Sequence, residues 1–134
     1  MKLDFAIFAN HAVVRPDGLF SMLDGGIVEL EATSIPAMCP NLSLMARFSF
    51  DAEECGKEHK CLVKVTSPGG NVLEPDAAIV LKATLNTRHP SIRSTFTAHF
   101  GYDRFACQEA GTYRFSFHVG ESFVGDAILE ATLK

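Results

Sequence analysis

Leu42-Ser43-Leu44-Met45-Ala46-Arg47-Phe48-Ser49-Phe50 decides the fold class. Leu42, Leu44, Ala46, Phe48 and Phe50 alternate with Ser43, Met45, Arg47 and Ser49. A period of two puts the first set on one face of a β-strand and the second on the other. No window of the chain fits a helical period better than this strand period. One apolar and one largely polar face predicts a sheet covered on one side, with the polar side in water.

The same pattern extends in both directions. Downstream, Cys61, Val63 and Val65 alternate with Lys60, Lys64 and Thr66, and Ala77, Ile79, Leu81, Ala83 and Leu85 with Lys82, Thr84 and Asn86. Phe96, Ala98, Phe100 and Tyr102 oppose Thr95, Thr97 and His99. Tyr113, Phe115, Phe117 and Val119 oppose Thr112, Arg114, Ser116 and His118, and a last strand runs from Ser122 to Leu133. Upstream, Leu3, Phe5, Ile7 and Ala9 share one face of a first strand, Leu19 to Leu23 forms a short one, and Val28, Leu30 and Ala32 alternate with Glu29 and Glu31.

Turn residues punctuate these runs: Arg15-Pro16-Asp17-Gly18, Asp24-Gly25-Gly26, Ser67-Pro68-Gly69-Gly70 and Gly120-Glu121. Proline presets φ at the second turn position, and glycine takes the positive φ at the exit. Longer loops at 33–40, 52–59, 86–92 and 103–110 do not suit simple up-and-down hairpins. The reading is an all-β chain: one domain, residues 1–134, folded as a two-sheet antiparallel β-sandwich of about eight strands.

Composition excludes some functions. The 134 residues hold 12 Lys and Arg against 16 Asp and Glu, for a net charge of −4. Phosphate contacts need clustered cations, and here the cations are scattered, so neither nucleic acid nor an anionic membrane is expected as partner. No run approaches the ~20 apolar residues of a membrane span. Asp4, Asn10 and His11 interrupt any export signal. The four cysteines, Cys39, Cys55, Cys61 and Cys107, are therefore expected as free thiols in the cytoplasm. Eleven Phe against no Trp points to a core of phenyl rings.

Glu109-Ala110-Gly111-Thr112-Tyr113-Arg114-Phe115 resembles the immunoglobulin-fold pattern in which an acidic residue, a Gly and a Tyr precede an inward Cys. The resemblance implies an immunoglobulin-like sandwich with Tyr113 anchoring a corner, and without the inter-sheet disulfide, since Phe115 stands at the Cys position. The run Ala9 to Glu31, centred on Asp17-Gly18-Leu19-Phe20-Ser21-Met22-Leu23-Asp24-Gly25-Gly26, together with Gly111 to Leu133, resembles a family of small bacterial β-sandwich proteins of unknown function. That likeness implies a fold and no catalytic residue.

Candidate chemistry is sparse. Cys55, His59 and Cys61 lack the paired spacing of a structural zinc site, and alternation aims Cys61 into the core. Asp51, Glu53 and Glu54 offer oxygens to a Ca²⁺ ion, but three acids on one loop are more often solvation. No nucleophile elbow or phosphate loop is present. The best candidate is a hydroxyl-rich, partly basic face: if their strands are neighbours, Thr95, Thr97, His99, Arg114, Ser116 and His118 line one exposed patch able to hold a partner or a small anion. The expectation is a non-catalytic binding or assembly module, with no cofactor or metal, acting on an unknown protein partner or a second copy of itself. The alternative is a small-ligand-binding or hydrolytic domain using the end loops.

Overall fold

A computed structural model describes residues 1–85, 87–89 and 91–134, except the side chains of Glu74 and Pro75. Asn86 therefore lies outside the described residues. The strands are β1 (Lys2–Ala9), β2 (His11–Val14), β3 (Phe20–Leu23), β4 (Glu29–Ala32), β5 (Ala37–Cys39), β6 (Leu42–Phe50), β7 (His59–Thr66), β8 (Val72–Leu81), β9 (Ser94–Tyr102), β10 (Phe105–Cys107), β11 (Gly111–Val119) and β12 (Ser122–Leu133), with one 3₁₀ turn at Ala52–Glu54. The chain is all-β, and no helix among the described residues is long and apolar enough to cross a membrane.

The strands form a three-stranded sheet, β1-β6-β9, a five-stranded sheet, β4-β12-β11-β7-β8, and two hairpin-sized sheets, β2-β3 and β5-β10. This corrects the expectation of about eight strands in two antiparallel sheets. β5 and β10 lie within stretches expected as long loops, and β4 pairs with β12 in parallel.

Inward residues of the expected strands build the core: Leu42, Leu44, Ala46, Phe48, Phe50, Cys61, Val63, Phe115, Phe117 and Leu129 are all buried. Phe48 and Phe100 meet the ring of Phe117 at 5.8 and 5.9 Å between centroids, and Phe8 meets Phe115 at 4.8 Å. Rings of the three-stranded sheet thus pack on rings of the five-stranded one. Tilted and edge-on pairs add to the apolar area they bury.

Two phases differ from the sequence reading. Between Leu3 and Phe5 the β1–β6 register shifts by one, so Leu3 faces Phe48, but Phe5 faces Arg47 and Phe8 faces Leu44. The bulge sends Phe5 and Ile7 to the outer face and Phe8 to the core. The outer face of β6 is not in water either: Ser43, Met45 and Ser49 are buried. The β2-β3 hairpin packs over β6 and β9 and covers it. Phe20 of that hairpin packs on Phe5 at 5.9 Å.

The Tyr113 corner forms. Its buried hydroxyl donates to the Glu109 carbonyl at 2.9 Å and accepts from the Glu109 N–H at 3.3 Å. The Glu109 carboxylate accepts from the Gly69 N–H at 3.2 Å, tying the corner to the 67–70 turn. Gly111 is required here: its φ is +131°, and a Cβ would stand 2.8 Å from Pro68 Cβ.

Candidate functional site

The six expected site residues fall on two sheets. Arg114, Ser116 and His118 lie on β11, whose neighbours are β12 and β7, whereas Thr95, Thr97 and His99 lie on β9, which pairs with β6. The strands are not neighbours, so no single patch joins the six. On β11, Arg114 ion-pairs with Asp126, and His118 sets its ring edge-on to Phe123 at 5.7 Å.

The β9 residues are the better-built group, because the β2-β3 hairpin crosses above them. Met45 is fully buried under it, and a polar opening remains on either side. At one opening Thr97, itself buried, accepts a hydrogen bond from Arg47 Nε at 3.2 Å. The Arg47 guanidinium lies 5.4 Å from the centre of the Phe5 ring and 5.6 Å from that of Phe20. Two aromatic faces and a hydroxyl hold this cation in one orientation. Around it a groove of about 550 Å³ is lined by Arg15, Lys82, Thr84, Thr95, Thr97 and Leu19, among others. Among the described residues Asp17 is its one acid, and it ion-pairs with Arg15 at 2.7 Å. The groove carries three cations against one anion on a chain whose net charge is −4.

β9 contributes more than side chains. It is the terminal strand of its sheet, and among the described residues no strand pairs with its outer edge. Thr95, Phe96 and Thr97 of that strand line the groove, as do Lys82, Ala83 and Thr84. The other outer edges of the two larger sheets carry known blunting devices. β1 has a bulge beside Asp4, β4 is four residues long with Glu29 and Glu31, and β8 has Asp76 beside a register shift. β9 has no proline, lysine or acid over its nine residues.

At the second opening His99 Nε2 and Ser43 Oγ lie 3.1 Å apart. Asn10, His11, Asn41 and Asp103 complete a cleft of about 180 Å³. Burial, and then the neighbouring His11, hold the His99 imidazole below its ordinary range and favour the neutral ring. Among the described residues no carboxylate hydrogen-bonds to His99, so nothing fixes its tautomer as a nucleophile's base requires.

The loop acids serve the fold. Asp51 and Glu54 bracket the 3₁₀ turn, with the Asp51 N–H bonded to Glu54 Oε1 at 2.9 Å. Glu54 also takes the Met1 ammonium at 2.7 Å, and Asp51 takes Arg93 at 3.4 Å. That ammonium and the Asp51 N–H hold the Glu54 carboxyl below its usual range. His59 is engaged by the Glu54 carbonyl at 2.8 Å, and Cys61 is fully buried, as alternation implied.

Sequence reasoning missed Arg15, Arg47 and Lys82. Arg47 was assigned to a solvated face, and the other two to a turn and a strand's polar side. One signal was available: Phe5-Ala6-Ile7-Phe8-Ala9 is an unbroken apolar run, the mark of a strand covered on both faces. A cover over the outer face turns exposed cations into groove walls.

The profile of a family of unknown function, DUF6941, matches residues 4–132, and the chain belongs to that family. No curated protein matches the chain. No solved structure matches it either.

Proposed function

We propose that this chain is a non-catalytic binding module of the cytoplasm that takes up an extended acidic segment of a protein partner in the groove beside β9. The supporting architecture is an immunoglobulin-like sandwich. The order β12-β11-β7-β8 follows the G-F-C-C′ order of variable-type domains, β1-β6-β9 follows A-B-E, and Tyr113 stands near the start of the F-like strand. In that scheme the D strand pairs with E, and its place is the outer edge of β9.

The observation that carries the reading is the coincidence of this unpaired, unblunted edge with Arg15, Arg47 and Lys82. Backbone groups of Ser94–Thr97 would pair with an incoming strand, and its alternate side chains would reach the cations. Arg47 is already oriented, so little of its freedom is lost on binding.

Fluorescence anisotropy with a labelled eight-residue peptide of alternating Glu and Val tests this. Binding should weaken with salt, and Lys82→Glu should weaken it about tenfold, a loss of ~1.4 kcal/mol. A peptide of alternating Lys and Val should not bind. Equal binding of both peptides, or of the acidic peptide to K82E, defeats the proposal. The Ser43–His99 pair favours a second reading, a small polar ligand in the other opening, which Ser43→Ala would abolish without affecting peptide uptake.

A further inference from the structure

Another cavity, of about 220 Å³, lies between the two-stranded β5-β10 sheet and the β4-β12 end of the large sheet. Its walls include Leu30, Ala32, Ile35, Ala37 and Ala131. Into this apolar space come Cys39 and Cys107, with Met38 at its mouth. The chain has four Cys and four Met, so three of its eight sulfur-bearing residues line one small cavity. No histidine lines it, and its one carboxylate, Glu31, is more than half exposed, 3.8 Å from Lys134 Nζ.

The register fixes how the thiols relate. Cys39 pairs with Phe105, and Cys107 with Ala37, so the two cysteines are diagonal neighbours on one face of this two-stranded sheet. Diagonal cross-strand positions stand ~7–8 Å apart between Cα atoms. That exceeds the ~4.4–6.8 Å span of a disulfide, whose sulfurs must approach to ~2.05 Å. A metal ion between two thiolates spans more, since two metal–sulfur bonds of ~2.3 Å separate the sulfurs by up to ~4.6 Å.

We propose that Cys39 and Cys107 bind a soft monovalent metal ion, Cu(I), as a two-coordinate bis-thiolate. Thiolate and thioether donors select Cu(I), while zinc asks for four nitrogen, sulfur or oxygen ligands that these walls lack. On binding, both S–H bonds break and two S–Cu bonds form, with two protons released to solvent and no change in oxidation state. Cys39 gives up its hydrogen bond to the Asn41 carbonyl, a weak one at 3.5 Å. Cys39 is half-buried and Met38 exposed, which opens a route in from the mouth, whereas Cys107 is buried. Each thiol must lose its proton to ligate the ion, so affinity should fall as pH is lowered.

The test is anaerobic titration of the reduced full chain with Cu(I), and with Ag(I) as a redox-inert substitute, against the chelator bathocuproine disulfonate, with native mass spectrometry for stoichiometry. One ion per chain is expected. Cys39→Ser and Cys107→Ser should each lower affinity about a hundredfold or more, and Cys55→Ser should leave it unchanged. If Cys107→Ser fails to fold, the half-buried Cys39→Ser alone decides the matter. Unchanged affinity in C39S overturns the proposal, as does loss of the ion in C55S. A loaded sample lighter by two hydrogens, indicating a disulfide, also overturns it.

Discussion

The chain has two tyrosines, and removing one oxygen from each should change stability in opposite directions. Both rings pack in the core against Phe105, at 5.4 Å for Tyr113 and 6.1 Å for Tyr102. Replacement by Phe keeps those contacts. The Tyr113 hydroxyl makes two hydrogen bonds to Glu109 backbone, at 2.9 and 3.3 Å. Tyr113→Phe leaves the carbonyl and the N–H of Glu109 without that partner, at a cost of about 1–3 kcal/mol. The Tyr102 hydroxyl is buried with no partner among the described residues. Tyr102→Phe removes an unsatisfied polar atom and should be neutral or stabilising by up to ~1 kcal/mol. At roughly 3–5 °C per kcal/mol for a domain of this size, the two variants should melt well apart. Urea denaturation of both, at equal m-values, measures the difference directly. If Tyr113→Phe costs under ~0.5 kcal/mol, or Tyr102→Phe costs more than Tyr113→Phe, the hydrogen-bond argument is wrong.

Phe115 is fully buried, with Phe8, Tyr102 and Phe105 at 4.8, 5.6 and 5.5 Å, so Phe115→Ala should cost about 3–5 kcal/mol by denaturant unfolding. A loss near 1 kcal/mol would mean this ring is not a core element. Alkaline pH should destabilise the fold. Burial pushes the Cys61 thiol up to about 11, and Tyr102 shifts upward too, through burial and then Asp76. The folded state then holds these protons more tightly than the unfolded chain. That stabilisation is complete below the ordinary thiol range near pH 9 and fades as pH rises toward 11. Urea midpoints at pH 8 and 10.5 should fall, and Cys61→Ala should flatten the change; a flat profile in the parent protein rules this out.

The inward phase of β6, β7, β9 and β11 was legible because period-two alternation reports burial of one face directly. Its limit is that it cannot see a second layer. Ser43, Met45 and Ser49 read as solvent-facing because their own strand offers no sign of the β2-β3 hairpin, which comes from thirty residues upstream. The bulge near Asp4 also escaped, since one inserted residue flips the phase of everything after it. β5 and β10, at three residues each, are too short for any periodicity to register. The candidate site suffered most. Thr95, Thr97 and His99 were placed correctly on one strand face, but their supposed partners on β11 belong to another sheet, and strand order is a long-range property. The cations that complete the groove come from three separate segments, which only the folded chain brings together.

The parallel pairing of β4 with β12 also constrains how the molecule is made. Glu29 faces Glu130 and Ala32 faces Leu133, so an early strand finds its ladder partner only at the far end of the sequence. During synthesis at roughly 5–20 residues per second, β4 waits about 5–20 s after emerging before β12 exists. Through that interval its backbone is unpaired along this edge, and the five-stranded sheet cannot close. Completion of the fold is thus tied to the emergence of β12 rather than to stepwise growth of the sheet in chain order. Such long-range closure is slow for topological reasons. The short, doubly acidic Glu-Leu-Glu-Ala sequence of β4 suits a strand that must remain solvated and unattached in the meantime.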